Sequence, residues 1–188
     1  MNRTLLSYLM PLLLIIASLL QSTAANRVEI RGVKPDLVLL LVVAGALIYG
    51  SRAAIVWAFI GGIALDLFSG GPLGSSSLAL IAAALVVGVG HHTLSRFNVL
   101  VPVTATALGT LVYGATYVAI LAALEGLTGW LTLQGIALDL VQPDLPVSLW
   151  ATLFWPTMQI VVLPAVFYNT ALSVALIPLL NQVPELEY

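Results

Sequence analysis

Few side chains in this sequence could do chemistry within its long apolar runs. Asp66 ends the stretch Gly61-Gly62-Ile63-Ala64-Leu65, and Ser75, Ser76 and Ser77 follow the turn Gly70-Gly71-Pro72-Leu73-Gly74. His91 and His92 come one helix later with Arg96 beyond them, and Arg52 follows Gly50 and Ser51. A carboxylate at membrane depth costs about 2.5–3.5 kcal/mol on insertion scales, so Asp66 requires a partner. Three are open to it: water or the amides of the glycine turn at a helix end, a polar group across a helix or subunit contact, or an ion or substrate. A transport path calls for a second embedded charge, and none is evident in the sequence.

The other groups assemble no reaction. The serines lack an adjacent base, so neither a nucleophile pair nor a paired acid for intramembrane hydrolysis can be drawn. Adjacent histidines on a helix point about 100° apart. With no cysteine and no further histidine, they cannot complete a zinc set. They read as an interfacial turn with Arg96, and Arg52 reads as a snorkelling interface residue or a partner contact. Gly-Gly-Pro-Leu-Gly lacks the Lys and Ser or Thr of a phosphate loop and is better explained as a tight turn. No enzyme, cofactor or metal is expected.

What Asp66 does share is a stripe. Ala54, Ala58, Gly62 and Asp66 lie four apart, a helical ridge with almost no side-chain bulk. In lipid, close backbone approach and a few polar contacts are what drives helices together. The candidate partner-binding set is therefore Ala54, Ala58, Gly62 and Asp66, with Gly70, Gly71, Pro72 and Gly74 of the turn and Trp130 further on. Ala84, Gly88 and His92 form a second low-profile stripe. Thr106, Thr110 and Gly114 form a third, with Tyr113 and Tyr117 on a neighbouring face.

The elements that must position these residues are membrane helices. Of the 188 residues, 61% are hydrophobic and 7% charged, with a mean hydropathy of +1.10. That composition cannot cover a soluble surface, and no long polar segment leaves room for a second domain. A net charge of −2 with six scattered Lys and Arg gives no basic stripe for nucleic acid. We read one all-α membrane domain over residues 1–188 with about six spans, near 4–24, 36–50, 53–68, 78–95, 99–124 and 155–180.

The first run ends in Ser22-Thr23-Ala24-Ala25 and reads either as an anchor or as a cleavable signal peptide. The charged segment Asn26 to Asp36 belongs in water or among headgroups. Leu37 to Phe68 overshoots one span, so two short helices joined by a tight turn are expected. The turn from Ser69 to Ser77 precedes the fourth helix. Residues 125–149 form an apolar connection read as extracytoplasmic and interfacial, with Trp130, Trp150 and Trp155 as anchors. Pro156 and Pro164 predict a kinked last helix, in which Gln159 and Asn169 are polar at membrane depth. Six spans place both termini on one side. Arg3, Arg52 and Arg96 there balance Arg27, Arg31 and Lys34 on the other, and the long acidic connection leans outward, so the termini are read as cytoplasmic.

The order Pro35-Asp36-Leu37, Gly61-Gly62, Asp66 and Gly70-Gly71-Pro72-Leu73-Gly74 resembles the rod shape-determining protein MreD family, from about Val33 to Leu94. The resemblance implies a non-enzymatic component of the bacterial inner membrane that serves lateral cell-wall elongation. It implies binding to MreC and, through MreC, links to the class B penicillin-binding transpeptidase, to RodA and to MreB. It also implies a fold similar to the S components of energy-coupling-factor transporters. The alternative is an S-component-like subunit that binds a small molecule such as a vitamin, for which Ser75, Ser76, Ser77, Gln134 and Gln142 are the outward polar groups. The hydrophobic connection from Leu127 to Val141 matches nothing in the family pattern.

Overall fold

The computed structural model describes residues 3–24, 34–89, 100–133 and 154–180. These residues form helices and short connections, with no strand among them. The helices are α1 (Arg3–Ala24), α2 (Leu37–Tyr49), α3 (Ser51–Ser69), α4 (Ser75–Val89), α5 (Leu100–Leu133) and α6 (Leu163–Leu180). Residues 154–157 and a π-helical turn, Met158–Val162, lead into α6. Three stretches are long and apolar enough to cross a membrane: Ser51–Ser69, Leu100–Leu124 and Phe154–Val174. Leu9–Thr23, Leu37–Tyr49 and Ser75–Val89 are shorter apolar helices.

The arrangement follows from α2. Its sequence, LVLLLVVAGALIY, is apolar all round, and a helix with no polar face belongs in the interior. α2 packs against α1, α3, α4, α5 and α6, and α1–α3–α4–α5–α6 form an arc around it, each packed on the next. Val38, Leu39, Val42, Val43 and Ala46 of α2 are fully or almost fully buried, and Leu14, Trp57 and Leu80 close over them. Outward-facing Leu12, Val56, Phe59, Leu85 and Phe167 are exposed, as side chains that meet lipid should be.

Gly50 joins α2 to α3 in a single residue. Its φ of 80° lies where a side chain is disfavoured, and its N–H closes α2 on Ala46 O at 3.0 Å. The expected tight turn within 37–68 is this residue. Three boundaries differ from the sequence reading. α4 starts at Ser75 rather than Leu78, because the serines form its first turn instead of extending the loop. α5 runs on to Leu133, so residues 125–133 continue the helix rather than opening a connection. Between Pro156 and Pro164, where a kink was expected, the helix takes a π turn, Met158–Val162. The segment 26–33, the histidine turn with Arg96, the connection 134–149 with Gln134 and Gln142, Trp150 and the tail 181–188 lie outside the described residues.

Candidate functional site

The polar residues of the bundle gather at one end, where α3 gives way to α4 and where α2 begins. Asp66 lies in the last turn of α3 and is 1% exposed. The chain then leaves α3 through Gly70, whose φ of 72° is left-handed and whose N–H bonds to Asp66 O at 3.1 Å. Gly74, at φ 92°, turns it back into α4. That reversal points the open amides of α4 at the Asp66 carboxylate. Gly74 N–H donates to Oδ2 at 2.7 Å, Ser76 N–H to both oxygens at 3.2 and 3.3 Å, and Ser75 Oγ to Oδ1 at 3.4 Å. The carboxylate thus serves as the cap of a helix to which it does not belong, and its charge meets the positive end of the α4 dipole. Of the partners open to Asp66, the geometry provides two: the Gly74 amide of the glycine turn and, across the helix pair, the Ser75 and Ser76 groups of α4.

The ridge behind Asp66 has an occupant as well. A Cβ on Gly62 would overlap the backbone of Ser77, so α3 and α4 touch main chain to main chain there. At the far end of the pair, a Cβ on Gly88 would fall 2.8 Å from Ser51 Cα. Ala54 and Ala58, on the Gly62 face, are fully buried. Ser77 Oγ adds a bond to Phe59 O at 3.1 Å. The small-residue ridge, expected to receive a partner's helix, is instead packed against the chain's own α4 at Gly62, because with no side chain there the Ser77 backbone comes into direct contact. Of the remaining expected residues, Gly70 is exposed, Gly71, Pro72 and Gly74 are half-buried, and the Trp130 side chain lies outside the described residues.

A second network holds the start of α2. Asp36 Oδ1 accepts from Leu39 N–H at 2.9 Å, an N-cap of the ordinary kind. Val38 N–H donates to Gln21 Oε1 of α1 at 3.3 Å, and Asp36 N–H donates to Asn169 Oδ1 of α6 at 3.0 Å. The other end of the Asn169 amide donates to Thr110 Oγ1 of α5 at 3.4 Å, and that hydroxyl donates to Thr106 O at 2.8 Å. One helix start thus joins α1, α2, α5 and α6. Tyr113 and Tyr117 stand between the two networks, their rings stacked at 5.9 Å and 25°. A Cβ on Gly71 would lie 3.5 Å from the Tyr117 hydroxyl.

Chemically, these groups hold helices. Ser75 Oγ donates to Pro72 O at 2.7 Å and Ser77 Oγ to Phe59 O, so each hydroxyl is committed to backbone rather than poised for attack. Among the described residues, no three His, Cys, Asp or Glu are grouped as a metal site would require. Sequence reasoning missed Gln21 and Ser51. Gln21 shows as the one amide in the tail of an apolar run, but nothing in spacing says which helix start it serves. Asp36 could have been found from its place before an apolar run, as a capping residue.

A family model described as rod shape-determining protein MreD matches residues 2–163. No curated protein and no solved structure matches the chain.

Proposed function

The chain belongs to the MreD family, and from that premise we propose that it is a non-enzymatic scaffold in the bacterial inner membrane. Membership supports a role in rod-shape determination, and the long apolar helices make the chain a membrane protein. Beyond that, we propose that it binds MreC and, through it, supports lateral peptidoglycan synthesis alongside RodA, the class B penicillin-binding transpeptidase and MreB. The observation that carries the scaffold reading is the employment of the buried polar groups. Asp66, Asn169, Thr110, Ser75 and Ser77 each bond across or along helices, as a protein would use them if its task were to hold a shape.

On this reading Ala54, Ala58, Gly62 and Asp66 set the frame, and the turn Gly70, Gly71, Pro72 and Gly74, with exposed Leu73 and with Trp130, is what a partner meets. The test is co-purification of MreC with the tagged chain from native membranes, for the wild type and for Leu73→Asp. Retention by the wild type with loss in a variant of unchanged thermal stability supports this surface. Failure of the wild type to retain MreC overturns the reading. A small-molecule subunit is the second reading, favoured by the meeting of Gln21, Asp36, Asn169 and Tyr113 at one end of the bundle. Saturable binding of a vitamin by the purified protein, without co-purifying MreC, would put it first.

A further inference from the structure

The last helix changes character at Val162. Below that point α6 is held: Asn169 ties it to the start of α2 and to Thr110 of α5. Above it, no side-chain tie of this kind is present among the described residues 154–161; Trp155, Ile160 and Val161 are exposed there, as Phe167 and Val174 are below. Between the halves lies the π turn, where Leu163 N–H reaches back to Met158 O, followed at once by Pro164, which has no N–H to give. In a regular helix the proline ring would crowd the preceding turn and leave a carbonyl unpaired, and a wider turn relieves the clash. Such turns mark the places where helices yield.

α5 is weakened at the same height. A Cβ on Gly114 would fall 2.7 Å from Val162 Cγ1, so the α5 backbone rests directly on the residue that ends the π turn. One turn earlier, Thr110 bonds back to its own helix at Thr106 O, a pattern that bends helices. Beyond this level α5 still has residues 118–133 to run. Tyr117 already lies beside Gly71 of the α3–α4 turn, so at ~1.5 Å per residue this end extends roughly 20 Å further.

We propose that residues 118–133 of α5, together with residues 154–161, form an arm that pivots about the Gly114–Val162 contact over the polar end of the bundle. Each helix has its weak turn at one height, the π turn in one and Gly114 with Thr110 in the other. The half of α6 below stays fixed, since swinging it would break the Asn169 bonds to α2 and α5. This motion requires no partner and does not depend on the scaffold reading.

The sequence contains no cysteine, so spin labels can be placed by single substitutions. Leu127→Cys with Leu73→Cys reports the arm against the α3–α4 turn; Val56→Cys with Val86→Cys reports the core. In lipid nanodiscs, distance measurement by double electron–electron resonance should give a broad or two-peaked distribution for the arm pair and a narrow one for the core pair. Deleting Ile160, which removes the extra residue of the π turn, should collapse the arm distribution to the core width. Pro164→Ala, which restores the missing donor, should do the same and covers the case in which the deletion fails to fold. An arm distribution as narrow as the core's in the wild type overturns the proposal. So does a broad one that the folded variants leave unchanged.

Discussion

Asp66 illustrates how a charge can be tolerated at this depth. Its two oxygens take the amides of Gly74 and Ser76, which would otherwise be unpaired at the start of α4, and lie 3.4 Å from the Ser75 hydroxyl, whose shorter bond goes to Pro72 O. Asp66→Leu strands two of those amides at about 1–3 kcal/mol each, so it should lower the thermal unfolding midpoint in detergent markedly. Asp66→Asn keeps one carbonyl oxygen for them and should lose less. Equal midpoints for the two variants would mean that the carboxylate does not cap α4. Gly62 is constrained by space rather than charge. Because even a Cβ there overlaps the Ser77 backbone, Gly62→Leu should cost at least the roughly 1–3 kcal/mol of an overpacked core. The same unfolding measurement checks it, with the outward-facing Val56→Leu as the reference.

At the scale of elements, the start of α2 is the junction of the bundle. Asn169→Leu removes the acceptor for Asp36 N–H and the tie to Thr110, loosening α6 from both α2 and α5. Faster hydrogen exchange should follow at the first turn of α2 and in α6, with α3 and α4 unchanged; uniform acceleration along the chain would deny this network its local role. Much of this level was legible beforehand. Hydropathy marked the helices, glycine and proline marked the α3–α4 turn, and the four-residue spacing of Ala54, Ala58, Gly62 and Asp66 marked a face that another backbone approaches closely. Periodicity reports that a face is smooth, but what comes to lie on it is a three-dimensional fact, and here it is α4. The same limit hid the pairing of Gly88 with Ser51. The continuation of α5 past Glu125 was missed because residues 125–149 were read as one apolar interfacial connection, whereas the residues up to Leu133 continue the helix.

For the whole molecule, the arc α1–α3–α4–α5–α6 wraps around α2 among the described residues. Single cysteines at Val28 and Leu140 should react with an impermeant reagent in intact cells if the termini face the cytoplasm. Protection of both would reverse the orientation. The short α2 has a further consequence. It has 13 residues where neighbouring α3 has 19, a difference of about 9 Å at ~1.5 Å each. Position along α5 gives a similar figure, about 10 Å, since Asn169 links Asp36 to the level of Thr110, while Gly71 lies by Tyr117, seven residues on. At 13 residues and ~1.5 Å each, α2 reaches about 20 Å and is shorter than a ~30 Å hydrocarbon slab. Among the described residues the neighbouring helices therefore outreach the central one at the end where Gln21 meets the start of α2, so this end of the bundle is stepped rather than flat.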